Sequence, residues 1–237
     1  MTKELPDLKE IRTKIYESLR KSGWADKLKS HLLSEEFIET LEYLLKESLE
    51  GRRFTPKVQQ MFRAFVECPY KDLKVVVIGQ DPYPQPGVAD GISFSCSNDG
   101  KVQASLRYMF KEIEDTVYPE GYEWNPDLKR WANQGILMLN TALTCEIGNI
   151  GSHYKTWDPF TKFLLDVLNN SNNGLIYAFL GNKSGEWAKH VSEEHYKLFA
   201  THPASAAYKK QQVWDSNDLF NRVNHILEGN NGEKIVW

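Results

Sequence analysis

Three residues far apart in this chain could act together: Asp81, Asn140 and His202. A carboxylate and an imidazole in one cleft can serve hydrolysis, by general acid-base or by electrostatic catalysis. A carboxamide between them adds one acceptor and two donors. Taken singly, each is more often a satisfied structural group than a catalyst; only their combination points to chemistry. No Gly-x-Ser-x-Gly elbow is present, which disfavours a serine hydrolase. The loop after residue 78 lacks both GxGxxG and a P-loop lysine, which disfavours a dinucleotide or nucleoside-triphosphate site.

The elements that must bring the three together are legible as apolar runs. Residues 75–78 (Val-Val-Val-Ile) end at Gly79-Gln80-Asp81, and 136–139 end at Asn140-Thr141. Residues 175–180 end at Gly181-Asn182, and the weaker run 197–200 ends at Thr201-His202. Short apolar runs bounded by turn residues suit strands buried on both faces. Helical stretches are predicted between and after them, at 105–116, 159–168, 185–191 and 219–227. Strands alternating with helices predict an α/β fold: a single-domain three-layer sandwich with a central, mainly parallel four-stranded sheet. Residues 1–50 read as a helical part packed on it, from stripes such as Ile11, Ile15, Leu19 and Phe37, Leu41, Leu44. Ligands of such sheets bind beyond the carboxyl ends of the strands, so the fold alone gathers Asp81, Asn140 and His202 at one edge.

Bulk properties narrow the class. A length of 237 residues, 41% hydrophobic and 26% charged, fits one globular domain with a substantial core. The net charge of −3 is close to neutral, so any nucleic-acid contact must use a local patch. Cys68, Cys96 and Cys145 are isolated from one another and form no metal-binding spacing, which fits a reducing compartment and no metal. Residues 1–6 contain no apolar signal segment, and no run is long enough to span a membrane. A cytoplasmic setting is expected.

Several ordered segments carry a resemblance. Gly79-Gln80-Asp81-Pro82-Tyr83 is similar to the water-activating motif of the family 1 uracil-DNA glycosylases. Gly91-Ile92-Ser93-Phe94-Ser95, Leu137-Met138-Leu139-Asn140-Thr141, Ser152-His153 and His202-Pro203 resemble further segments of that family, in the same order. The match runs from about residue 52 onward. It implies hydrolysis of the N-glycosidic bond of a flipped-out deoxyuridine, without cofactor or metal. Asp81 would orient the water and offset charge on an oxocarbenium-like sugar. His202 would hydrogen-bond uracil O2 as a neutral imidazole, Asn140 would read the base, and Phe94 would stack on it. Gln80 would add backbone contacts, and Tyr83 would exclude the thymine methyl, although alone it reads as packing. DNA contacts are implied at Ser105, Gly181, Asn182, Ser205 and Ala206.

The resemblance weakens where DNA would be held. The family commonly has histidine after Asp-Pro-Tyr; here Pro84 follows. Its wedge leucine is replaced by Ala206, too small to fill the gap left by a flipped base. Tyr208 or Gln211 could act as the wedge and Lys209 and Lys210 could hold phosphates; a solvated surface loop is an equal reading of the same residues. A relative preference for single-stranded DNA is the expectation. The implied partners are uracil-containing DNA, single- or double-stranded, and a candidate protein inhibitor of the DNA-binding face, with the chain a monomer and no membrane involved. The competing readings are a glycosylase of altered base or strand preference and a non-catalytic module that binds DNA or a replication partner.

Overall fold

The structure, a computed structural model, describes residues 7–170 and 174–237. Three helices come first: α1 (Leu8–Arg20), α2 (Trp24–Leu32) and α3 (Glu35–Leu49). Asp7 and Ser34 cap α1 and α3, their side chains accepting from the Lys9 and Phe37 N–H groups. The stripes read from the sequence, including Ile15, Leu19, Phe37, Leu41 and Leu44, face inward and join one contiguous core that extends to Trp237. The chain continues as β1 (Phe54–Thr55), α4 (Arg63–Glu67), β2 (Val75–Gly79), α5 (Ala104–Thr116), α6 (Lys129–Ala132), β3 (Ile136–Asn140) and β4 (Cys145–Glu146). It ends with α7 (Tyr154–Asn169), β5 (Ile176–Leu180), α8 (Asn182–Gly185), β6 (Tyr196–Ala200), α9 (Pro203–Tyr208) and α10 (Leu219–Gly229).

The central sheet has four strands in the order β3-β2-β5-β6, and every neighbouring pair is parallel. Every residue of β2 and β5 is buried, so helices cover both faces, which is why the central strands read as unbroken apolar runs. The chain leaves β2 toward β3 on one side and β5 toward β6 on the other. The topological switch point therefore falls between β2 and β5, where a ligand crevice is expected. A small antiparallel ribbon of β1 and β4 lies apart from this sheet, and its strands are too short to leave a sequence pattern. Among the described residues, no helix is long and apolar enough to cross a membrane.

Three expectations are corrected. The helix read at 159–168 starts earlier, at Tyr154, and carries Pro159 inside it, in its second turn, where the ring has no N–H to give to the helix ladder. The helix read at 185–191 is α8 followed by a 3₁₀ turn, Glu186–His190, because Gly181 at φ +96° turns the chain as soon as β5 ends. The residues after His202, read as a loop, begin as helix α9: Pro203 occupies the first turn with its φ preset, and Ala204, Ala206 and Ala207 are good helix formers.

Candidate active site

The ends of β2 and β3 are stitched together by backbone. Thr141 N–H donates to the Gly79 carbonyl (3.2 Å), while Thr141 Oγ1 and Ala142 N–H donate to the Gln80 carbonyl (3.0 and 3.3 Å). The turn carrying Asp81 is thereby fixed beside Asn140. Ser93 Oγ donates to Asn140 Oδ1 (2.8 Å), which sets the orientation of the amide. A Cβ at Gly79 would stand 2.5 Å from Ser93 Oγ and 2.6 Å from Asn140 Oδ1, so only glycine leaves room for this pair.

Phe94 takes a left-handed backbone conformation, φ +65°, which costs about 1–3 kcal/mol and persists only where its surroundings enforce it. Buried Asp90 is that enforcement. It accepts from Ile92 N–H (3.1 Å), Ser95 Oγ (2.6 Å) and Ser97 Oγ (2.6 Å) and pairs with Arg63 Nη1 (2.8 Å). Tyr83 O–H donates to the Phe94 carbonyl (3.1 Å), joining the tyrosine of the first turn to the segment that carries the phenyl ring. Tyr83, Phe94, Met138 and Asn140 line a narrow pocket with about 10 Å³ of room, enough for one water. It shares Pro82, Tyr83 and Phe94 with an open cleft of about 300 Å³ that also takes in Gln80, Asp81, His202 and Tyr208.

Asp81 is partly buried in the floor of this cleft. Its Oδ1 accepts from Gly151 N–H (3.2 Å) and its Oδ2 from the Tyr154 hydroxyl. Burial raises its pKa; the hydrogen bonds from Tyr154 and Gly151 and the proximity of His153 oppose that rise. The segment supplying these donors is itself anchored. Buried His153 places Nε2 2.8 Å from Glu47 Oε2 of α3 and Nδ1 2.8 Å from Thr144 Oγ1, which also accepts from Trp157 Nε1–H (2.8 Å). Thr144 and Glu47 thus engage both ring nitrogens of His153 and hold the imidazole in place. Burial pushes the Glu47 carboxyl up, but bonds from Tyr43 (2.9 Å) and His153 and the nearby Arg52 outweigh it and leave the pKa below its ordinary value.

His202 caps α9: its Nδ1 accepts from the Ala204 N–H (3.1 Å). The neutral ring therefore carries its proton on Nε2. Burial lowers the His202 pKa from 6.5 to about 4, so at neutral pH the ring is an uncharged donor. The Phe94 and His202 ring centroids are 5.8 Å apart. From behind, Thr201 is tied to the Asp215 carbonyl through its N–H (3.2 Å) and Oγ1 (2.8 Å), and Trp214 Nε1–H donates to the Thr201 carbonyl (2.8 Å).

The residues expected to touch DNA are distributed unevenly. Ser105, in the first turn of α5, lines the open cleft although only 5% exposed. Gly181 is half-buried, Asn182 is exposed at the start of α8, and Ser205 is half-buried on α9. Ala206, by contrast, is 1% exposed, on the helix α9 that packs against α5. Because the segment is helical, residues two apart point to nearly opposite sides. Tyr208, 81% exposed, is the side chain presented at the mouth of the cleft. Sequence reasoning missed Ser93, Gly151, Tyr154 and Glu47 as supports of the site. Ser93 lay within a recognised segment, but nothing in the sequence signals Tyr154 against Asp81, 73 residues away.

Asp81 and His202 in the open cleft, with Asn140 in the narrow pocket that adjoins it at Tyr83 and Phe94, form a strand-end set able to serve hydrolysis in an α/β fold. The Uracil DNA glycosylase superfamily profile matches residues 65–228. Uracil-DNA glycosylase 1 of Listeria monocytogenes serovar 1/2a is 34% identical over 220 residues, covering 90% of this chain and 96% of its own. The uracil-DNA glycosylase of Vibrio parahaemolyticus is 31% identical over 218 residues, covering 90% and 95%. Among solved structures, a mimivirus UNG variant in complex with UGI superposes with a TM-score of 0.81 at 25% identity, covering 90% of this chain and 87% of that one. The chain belongs to the uracil DNA glycosylase superfamily.

Proposed function

We propose that the protein is a monofunctional uracil-DNA glycosylase of the family 1 kind, folded as one domain from residue 1 to 237. Uracil release begins base excision repair by leaving an abasic site. The observation that carries the reading is the meeting of Asp81, Asn140 and a neutral, Nε2-protonated His202 around the pocket lined by Tyr83 and Phe94.

The chemistry follows from these positions. As the C1′–N1 bond breaks, its electron pair leaves with the pyrimidine, and positive charge develops on the sugar. Asp81, ionised, stabilises that charge and orients the water that adds to C1′. His202 offers Nε2–H to uracil O2 as negative charge builds there, a preorganised dipole rather than a proton donor. Asn140, its amide fixed by Ser93, matches uracil N3–H and O4; cytosine reverses that pattern. Tyr83 stands against C5 and excludes a methyl group, and Phe94 stacks on the base. The pocket has room for about one water as it stands, so a pyrimidine needs its lining to widen. Ser105, Gly181, Asn182 and Ser205 are the proposed DNA contacts, with Gln80 supporting the base through its backbone. A protein inhibitor as partner is supported by the mimivirus UNG variant, solved in complex with UGI; we place it on this face.

The test is direct: incubate the protein with a uracil-containing oligonucleotide in EDTA, treat with alkali, and look for strand cleavage. Cleavage is expected, and its absence on every uracil substrate would refute the reading.

A further inference from the structure

We propose that Tyr154 is the positioning residue of the reaction, holding the Asp81 carboxylate in the plane and ionisation state that the attacking water requires. The inference rests on the glycosylase reading above and on an arrangement which that reading does not use.

Asp81 receives no donor from the two prolines of its own turn, Pro82 and Pro84, which have no N–H. Its partners come from the segment that opens α7. Gly151 N–H takes Oδ1 (3.2 Å) and the Tyr154 hydroxyl takes Oδ2, one donor on each oxygen. Two donors on two oxygens fix the carboxylate plane. Each oxygen has two lone-pair sites, so one on each stays free to accept from a water in the cleft.

The phenol cannot readily move away. Gly151 sits at φ +82°, and a Cβ there would lie 3.0 Å from Tyr154 Cε2, so the ring packs directly over the glycine. His153, between them, is buried and bonded to Glu47 and Thr144 at 2.8 Å each. The hydroxyl is thus aimed at Asp81 by a support reaching back to α3.

Burial favours the neutral acid, which would leave the sugar cation without its counter-charge; the Tyr154 bond favours the anion. The other titratable groups acting on this pair are His153, next to Tyr154 in the chain, Cys145 on β4, and Glu186, which acts on Tyr154. None of them reaches the carboxylate with a hydrogen bond, so Tyr154 is the side chain whose removal should move it.

Tyr154→Phe in the full chain deletes the donor and keeps the ring. Single-turnover release of uracil from a single-stranded oligonucleotide should slow about 10- to 100-fold, the worth of a hydrogen bond to a charged group, with KM within about twofold. The acid limb of the rate profile should move to higher pH. Carboxyl carbon NMR of Asp81, assigned with Asp81→Asn, should show the same upward movement without substrate. A variant with the wild-type rate and acid limb overturns the proposal, and so does a slower variant whose Asp81 titration has not moved. A wild-type chain that releases no uracil would refute the glycosylase reading instead, while the NMR comparison would still decide the role of Tyr154.

Discussion

Gly181 lies so close to His202 that a Cβ on residue 181 would stand 2.8 Å from the His202 Cβ and 2.9 Å from Gln80 Nε2. At φ +96° the position is also one that L side chains rarely adopt. Gly181→Ala should therefore cost about 1–3 kcal/mol in backbone strain and push both side chains away from the cleft. Thermal melts and kcat/KM on a uracil substrate check this, with both expected to fall. An alanine variant of unchanged activity would show that His202 does not need this approach.

Asp81→Asn keeps the shape of the side chain and removes its charge. The release rate should fall by about 10²–10³-fold, as for loss of one preorganised electrostatic partner, while substrate affinity is retained. Full activity in this variant would refute the role given to Asp81. Asn140→Asp alters the donor pattern at the base edge, and discrimination between uracil and cytosine should weaken; competition assays with the two bases measure it.

The pH dependence follows from His202. Its folded pKa is lowered to about 4, against 6.5 ordinarily, so the ring stays neutral through the range in which an exposed histidine would titrate. The rate should show no acid limb centred near 6.5. Stability behaves differently: between 6.5 and about 4 the unfolded chain binds a proton that the folded chain refuses. This contribution to stability is complete above 6.5 and declines as the pH falls through that window. Urea melts from pH 7 to 4 should show the decline, and NMR of the His202 ring carbons should place its titration near the lower end.

Tyr208 is the aromatic side chain exposed at the cleft mouth, with Ala206 turned inward. One ring at the end of a short helix is a modest tool for holding a duplex open after a base has flipped, an event that costs a few kcal/mol. Initial rates should be higher on single-stranded than on U:A duplex oligonucleotides. Tyr208→Ala should reduce duplex cleavage about tenfold or more, the worth of one base–aromatic stack, with a smaller effect on single strands. Faster cleavage of the duplex by the wild type would sink this view.

Much of the fold was legible because burial on both faces writes a strand as an unbroken apolar run, and β2, β3 and β5 are such runs. The edge strand β6 was fainter, since Tyr196 and Phe199 are 40% and 48% exposed. Placing Asp81, Asn140 and His202 at strand ends followed from the fold class alone. The supports were not legible. Tyr154 meets Asp81 across 73 residues and His153 meets Glu47 across 106, and a single sequence carries no trace of pairings that only tertiary packing creates. Helix α9 is hidden behind the likeness of His202-Pro203 to the start of an intercalation loop, although Pro-Ala-Ser-Ala-Ala favours a helix once Pro203 has started one.

The contact between His153 and Glu47 ties the catalytic floor to a helix that precedes the sheet in the chain. A segment that could otherwise breathe locally is held by a buried pair whose partner lies on α3, so the two should open together or not at all. Amide exchange at Gly151 and Tyr154 would then follow unfolding of the first three helices rather than the faster opening usual for surface turns. If it does, residues near the start of the chain govern how steadily the Asp81 carboxylate is held, through a contact 106 residues long in sequence.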